Sequence, residues 1–148
     1  MPGAGRILAV ALLWSWALPA GAQPETAEAI THRVCTGCHS LQVVMDTPKD
    51  FDTWHDTVQK MIDHGAQGTP DDFAQIMQYL FETMTTVDIN HGDQDELMTV
   101  LHTNAETADA IIARRATHPF KDLAELEAAF PTLNRALLDS KKRMIFFR

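Results

Sequence analysis

The sequence predicts an all-α protein in which two small helical domains follow one another. Three observations predict this class. Apolar residues recur at steps of three and four along most of the chain, the two cysteines lie together in one short run of the first half, and the second half repeats a pair of helices joined by a turn. We expect the first domain at residues 23–86 and the second at residues 87–148.

Residues 1–22 have the three regions of a secretory signal peptide. Arg6 is the only charge before a run from Ile7 to Leu18 that is apolar except for one serine, and small residues follow up to Ala22. The apolar run has about 12 residues, whereas a membrane-spanning helix needs roughly 20, which disfavours the alternative of a retained anchor. We therefore expect cleavage after Ala22, a mature chain without a membrane span, and a periplasmic or otherwise exported location.

The mature chain is expected to be acidic, mainly in its first half. Loss of Arg6 changes the formal net charge from −8 to −9. Residues 23–87 contain ten Asp and Glu against three Lys and Arg, whereas residues 88–148 contain ten against eight. Such a surface repels nucleic acid and anionic lipid and can attract a basic protein partner, although acidic faces more often serve solubility.

Both cysteines of the chain, Cys35 and Cys38, lie in the run CTGCH, which ends at His39. A thioredoxin-like redox pair is expected in a β-α-β context, which the helical periodicity around the run does not offer. A structural zinc site needs a fourth ligand and usually a second close pair of ligands, and neither is evident. The remaining interpretation is haem, because two thiols at this spacing reach both vinyl positions on one porphyrin edge and the next residue is an axial iron ligand. The run therefore predicts one covalently bound haem c, with His39 on the iron.

Three short helices are predicted around this run. The first covers Ala27–Val34, the second lies within Asp50–His64, and the third begins after Thr69, where proline at the first position and two aspartates in the first turn are start signals. Three such helices bury too little apolar surface by themselves, so we expect the haem to complete their core. Their apolar stripes consist of Ile30 and Val34; of Phe51, Trp54, Val58 and Met61; and of Phe73, Ile76, Met77, Leu80, Phe81 and Met84.

The sixth iron ligand has several candidates. Methionine at this position raises the reduction potential, histidine lowers it, and an open position permits ligand binding or catalysis. Met61 lies on the second apolar stripe, and His64 follows it by three residues. Met45 follows His39 too closely to fold back over the other porphyrin face, and Met77 has a stripe position where packing is the commoner role. From the residues alone the choice stays open.

A family resemblance favours one of these candidates. The stretch from Val34 to Leu80 contains CTGCHSL, then Trp54 followed by TVQKM, then Gly65-Ala66, Thr69 and Tyr79-Leu80. This pattern resembles the minimal single-haem bacterial cytochrome c domains, which are often attached to periplasmic oxidoreductases. The resemblance implies that Met61 is the distal ligand, so that His39 and Met61 hold the iron, with His64 or Met77 as the alternatives.

The second half is predicted as two pairs of helices. The helices of the first pair lie within Asp93–Leu101 and Glu106–Ala116, with a turn at residues 102–104. Those of the second pair run from residue 120 to residue 129 and over Arg135–Arg143, with a turn at residues 131–134. Each pair alone exposes an apolar face, so we expect one compact four-helix unit.

The second half also resembles a known family. The segments VDIN, DELMTVL, AETADAIIARR, PFKDLAEL and KKRMIFF follow in the order of the tandem helix-hairpin-helix domain of bacterial competence DNA-uptake receptors and repair proteins. The resemblance covers nearly all of Asp88 to Phe147. In that family, glycine-rich hairpins present backbone N–H groups to a DNA phosphate. Here the first hairpin has His102, Thr103 and Asn104, and the second has Thr132 where glycine is expected, so we expect the fold without the phosphate site.

DNA binding by this half is therefore not expected, because the hairpins lack their glycines and the mature chain is acidic. We expect a docking or packing domain instead. A basic patch that meets an acidic partner or the first domain is expected from Arg114, Arg115, Lys121, Lys141, Lys142 and Arg143.

These observations predict an exported monohaem cytochrome that carries single electrons between periplasmic redox partners, as an accessory subunit or partner of an oxidoreductase such as a dehydrogenase. It is expected to be an electron carrier and not itself an enzyme, because nothing in the sequence supplies the distal acid–base groups that a haem peroxidase needs. The alternatives are a haem-based sensor with a vacant or labile sixth position and, less favoured, an extracytoplasmic DNA-binding protein.

Overall fold

The computed structural model describes residues 24–148, which form eight helices and one two-stranded sheet, so the predicted helical class is confirmed for most of this part of the chain. The predicted signal peptide, residues 1–22 with its cleavage site after Ala22, lies outside the described residues. No helix within residues 24–148 is long and apolar enough to cross a membrane. The elements are α1 (Ala27–Cys35), α2 (Gln42–Met45), α3 (Phe51–Asp63), α4 (Pro70–Met84), β1 (Val87–Asp88), α5 (Gln94–Leu101), α6 (Ala105–Thr117), α7 (Leu123–Ala129), α8 (Arg135–Lys141) and β2 (Ile145–Phe146).

Side-chain caps determine where most of these helices begin. Thr69 accepts a hydrogen bond from the N–H of Asp72 and donates its own N–H to that carboxylate, so the predicted start at Thr69 is confirmed as a capping box. Asp93 and Glu96 form a second capping box at α5. Each such cap contributes about 1 kcal/mol to the stability of the folded chain.

A first hydrophobic cluster joins α1, α3 and α4. Its largest side chain is Trp54, which is 1% exposed and donates its indole N–H to the carbonyl of Met84 at 3.0 Å. Arg33 adds a polar link from α1 to α4, because its guanidinium pairs with Asp72 at 2.9 Å. The buried members are Ile30, Val34, Trp54, Val58, Ile76, Leu80 and Met84.

A second hydrophobic cluster lies in the second half. Asn90 fixes the chain ahead of α7, because its side-chain amide bonds both the N–H and the carbonyl of Phe120, at 2.9 and 2.8 Å. Twelve residues are buried in this cluster, against seven in the first: Val87, Ile89, Leu97, Val100, Leu101, Ala108, Ile111, Phe120, Leu126, Leu133, Leu138 and Ile145.

The small parallel sheet is a departure from the all-α prediction. Val87 pairs with Ile145 and Asp88 with Phe146. The N–H groups of Val87 and Ile89 donate to the carbonyls of Met144 and Phe146, each at 2.9 Å. Both segments are too short to show an alternating pattern, and their pairing joins residues 58 positions apart, so the sequence carries no local signal for it. The last helix also ends at Lys141 and not at Arg143.

Lys141 connects the two halves. Its ammonium group donates hydrogen bonds to the carbonyls of Glu82 and Val100 and contacts Nε2 of His102 at 3.1 Å. Glu82 and Val100 lie in the last turns of α4 and α5, where carbonyls lack partners within their own helix. Lys141 therefore caps the ends of two helices, one in each half, and its burial lowers its pKa to about 8.

One member of the predicted basic patch, Lys141, is wrong as a surface residue, because it is buried at the junction of the two halves. Lys141 is 6% exposed. Arg114 pairs with Glu125 at 2.8 Å, and Arg115 donates to the carbonyl of Ile89 at 2.7 Å. Arg114 and Arg115 are half-exposed, and each is bonded to an acceptor elsewhere in the second half. The exposed members are Lys121, Lys142 and Arg143.

Replacing Lys141 with methionine is expected to change how stability depends on pH. The pKa of Lys141 is about 8 in the folded chain, against an ordinary 10.5, so between these values the unfolded chain binds more protons than the folded chain. The free energy of unfolding of the native chain, relative to Lys141→Met, should therefore rise from pH 8 to pH 10.5, by roughly 3 kcal/mol. Urea unfolding at a series of pH values measures this difference.

The matched control is Lys142→Met, which removes the same charge from an exposed neighbour. It should leave the pH dependence of the native chain unchanged. The native chain and Lys141→Met could instead differ in stability by the same amount at every pH in this range. That result would contradict the inference that burial of the charged ammonium group destabilises the folded chain.

Candidate functional site

A cavity of about 320 Å³ lies in the first half, among α1, α2, α3 and α4. This volume is in the range of small-molecule sites, which is about 300–1,000 Å³. Most of its wall is apolar. Few lining side chains can bind a metal, form a covalent bond or carry a charge. They are Cys35, Cys38, His39, Lys49, Met61 and His64, together with the hydroxyl groups of Thr47 and Thr57.

The CTGCH run lies at one end of α1. Cys35 is the last residue of the helix, and the chain then turns, with the N–H of Thr36 bonded to the carbonyl of His32 at 3.0 Å. This turn brings Cys38 and His39 back to the cavity that Cys35 also lines. The predicted trio therefore converges on one cavity.

The His39 ring is oriented by its neighbour. Its Nδ1 lies 3.1 Å from the carbonyl oxygen of Ser40. Because a carbonyl oxygen only accepts, this hydrogen bond forms when Nδ1 carries the ring proton. The lone pair of Nε2 is then free to bind a metal, as in most protein sites where histidine is a ligand.

The surroundings of Cys35 disfavour a redox-active cysteine pair. Burial raises the pKa of its thiol, whereas redox-active and nucleophilic cysteines have lowered pKa values. The strands of the described sheet, β1 and β2, belong to the second half and do not flank the motif. Within residues 24–148 no group of three His, Cys, Asp or Glu side chains lies close enough together to hold a metal ion.

Of the candidates for the sixth ligand, Met61 and His64 both line the cavity, whereas Met77 does not. Met77 packs against the first hydrophobic cluster instead. Met61 lies on the same face of α3 as Trp54 and Val58, which are buried in that cluster, because residues three and seven positions apart share a helix face.

The end of α3 places His64. Its N–H donates to the carbonyl of Lys60 at 3.0 Å, and the helix stops because Gly65 has φ +91°, a left-handed conformation that glycine adopts without strain. The N–H of Ala66 then bonds the carbonyl of Met61 at 2.9 Å. This turn keeps both candidate ligands at one end of the cavity wall.

Lys49 is a site residue that the sequence did not reveal. Its backbone forms an isolated bridge to Thr85, which brings its side chain to the cavity. That contact joins segments far apart in the chain, and a lysine between a proline and a capping aspartate reads as part of an ordinary polar loop.

The first hairpin of the second half does not have the conformation expected for phosphate binding. The left-handed residue is His102, with φ +48°, whereas Asn104 is extended and caps α6. The N–H groups of His102 and Thr103 both donate to the carbonyl of Met98. These two groups are therefore used inside the chain and do not face outward to a phosphate.

Comparison with known proteins gives no match: no known family, no curated protein and no solved structure is similar to this chain at a significant level. Its function must therefore be inferred from the cavity and the residues around it.

Proposed function

We propose that the chain is an exported monohaem c-type cytochrome that carries single electrons between periplasmic redox partners. One observation carries the proposal: Cys35, Cys38, His39 and Met61 line the same largely apolar cavity. These are the attachment and ligand residues that the sequence motif and the family resemblance predict.

The residues of the cavity fit a haem. Cys35 and Cys38 would hold the group through two thioether bonds, and Nε2 of His39 and the thioether of Met61 would bind its iron. The apolar walls, including Val34, fit the hydrophobic body of a porphyrin. When bound, a haem supplies an iron that gains and loses one electron.

The chain's own residues would set the reduction potential. Methionine ligation raises it compared with histidine, and apolar burial disfavours the additional charge of the oxidised state. The excess of carboxylates in residues 23–87 acts in the opposite direction, because negative charge favours the oxidised iron. Electron transfer needs no proton donor or acceptor at the iron, so this site suits a carrier more than an enzyme.

The second half, residues 87–148, would serve docking or packing and not catalysis. Its resemblance to tandem helix-hairpin-helix domains supports a compact helical unit, and Lys141 ties that unit to the end of α4. The proposed partner is a periplasmic redox protein such as a dehydrogenase subunit. DNA remains a less favoured partner, because two N–H groups of the first hairpin are bonded within the chain.

Removing both cysteines is expected to abolish covalent haem attachment. The chain with Cys35→Ala and Cys38→Ala, produced in a periplasm with haem-attachment machinery, should lose the haem stain that survives denaturing gel electrophoresis. Each single variant should keep at most one thioether, which the haem spectrum in alkaline pyridine distinguishes.

His55→Ala is the control for this experiment, because His55 is exposed, contacts the ring of Phe81 and does not line the cavity. It should retain haem at the native level. Haem that stays attached in the double cysteine variant is incompatible with the proposed function.

Replacing Met61 with alanine is expected to remove the sixth ligand. The weak absorption band at the red end of the visible spectrum, which reports a thioether bound to ferric iron, should disappear. The reduction potential should fall by on the order of 0.1–0.3 V, within the about 0.8 V range over which axial ligands tune haem proteins. Met77→Ala is the matched control, because Met77 lies outside the cavity wall. An unchanged spectrum in Met61→Ala would assign the ligand to another residue.

The alternative, a haem-based sensor, differs from a carrier in its sixth position. The presence of two potential ligands on one wall, Met61 and His64, favours a filled position. Carbon monoxide added to the reduced native protein should therefore leave the spectrum unchanged, while Met61→Ala combined with His64→Ala should bind it. Rapid binding by the native protein would favour the sensor.

A further inference from the structure

The charged groups on the cavity wall differ from those of the chain as a whole. The protein has 20 Asp and Glu against 12 Lys and Arg, yet no carboxylate of residues 24–148 lines the cavity, whereas Lys49 does. His39 and His64 are the other groups there that can carry positive charge. A cavity of this kind is suited to an apolar molecule that bears a negative charge.

The backbone of Lys49 is fixed on both sides. Its N–H donates to the carbonyl of Met84 at 3.3 Å, and its carbonyl accepts from the N–H of Thr86 at 2.9 Å. Its ammonium group lies over the ring of Trp54, 5.5 Å from the centroid. The position of this charge therefore follows from the same contacts that hold α3 to the end of α4.

Within residues 24–148 Lys49 belongs to no ion pair. The carboxylate of the neighbouring Asp50 accepts a hydrogen bond from the N–H of Thr53 at 2.7 Å, as the cap of α3. An ammonium group beside an apolar cavity loses hydration, and a carboxylate on the bound molecule would compensate for that loss.

Other polar groups near Lys49 are less suited to this task. The indole N–H of Trp54 is already donated to the carbonyl of Met84. The hydroxyl of Thr57 donates to the carbonyl of Thr53 at 2.7 Å, so its proton is also used. On this part of the wall, the ammonium group of Lys49 is therefore the charged donor that has no hydrogen-bond acceptor within residues 24–148.

We propose that Lys49 binds a carboxylate of the molecule that fills the cavity, and so determines which end of that molecule faces the junction of α3 and α4. This inference rests on the proposed function, because the two propionates of a haem are carboxylates of this kind. It adds a binding residue that is neither an attachment residue nor an iron ligand.

The test compares two porphyrins that differ only in their carboxylates. The probes are mesoporphyrin IX, which lacks iron and has ethyl groups that cannot form thioethers, and its dimethyl ester. Fluorescence titration of the haem-free mature chain, in the same dilute detergent, gives a dissociation constant for each. The native chain should bind the free acid about tenfold more tightly than the ester, which corresponds to about 1.4 kcal/mol.

Lys49→Met should bind the two porphyrins about equally, and Lys49→Arg should keep the preference because it keeps the charge. Lys60→Met is the matched control, because it removes an equal charge from an exposed position of α3 outside the cavity wall. It should leave the preference intact. Circular dichroism shows whether each variant is folded.

The outcomes separate this inference from the proposed function. If neither porphyrin binds to the folded native chain, the role of Lys49 is wrong, and the haem stain of the cysteine variants decides the proposed function separately. If both porphyrins bind but Lys49→Met retains the full preference, or His64→Gln or Lys60→Met abolishes it, only the role of Lys49 is wrong. If the haem-free chain is unfolded, the haem-loaded protein replaces it. Its reduction potential should then fall more in Lys49→Met than in Lys60→Met, and equal falls would overturn the inference.

Discussion

The hydrogen bond from the indole N–H of Trp54 to the carbonyl of Met84 holds α3 against the end of α4. The buried indole makes this a contact that water cannot replace, and losing it would leave a buried donor unpaired. Met61 lies two turns further along α3, so its position on the cavity wall depends on this contact. The pairing of Lys49 with Met84 and Thr86 lies directly beside it.

The same junction explains why the first half depends on its neighbour. Its buried cluster has seven residues, against twelve in the second half, and a cavity takes up space that side chains would otherwise fill. Phe51, at the start of α3, packs against the second cluster and lies 4.7 Å from the ring of Phe81. Lys141 caps α4 from the other half. The second half therefore supports the elements that form the cavity, even though it contributes no residue to the wall.

Features that depend on neighbours in sequence could be predicted, and features that depend on distant contacts could not. The cap at Thr69 and the stop at Gly65 are local signals, because the groups that satisfy the helix ends lie within a few residues. The placement of Cys35, Cys38 and His39 on one cavity is local as well, because the three residues lie within five positions of the chain. The bridge of Lys49 to Thr85, the burial of Lys141 and the β1–β2 pairing each join segments more than 30 residues apart. No pattern of period 2 or 3.6 records such contacts.

The first hairpin of the second half has backbone N–H groups that are bonded within the chain. A hairpin binds phosphate through N–H groups that have no partner in the chain. In the first hairpin here, the left-handed His102 turns two N–H groups back onto Met98. Its ring then contacts the ammonium group of Lys141, which also bonds the carbonyl of Glu82 in α4. The polar groups of this hairpin therefore belong to the junction between the two halves, where they help to hold α4 and α5 together through Lys141.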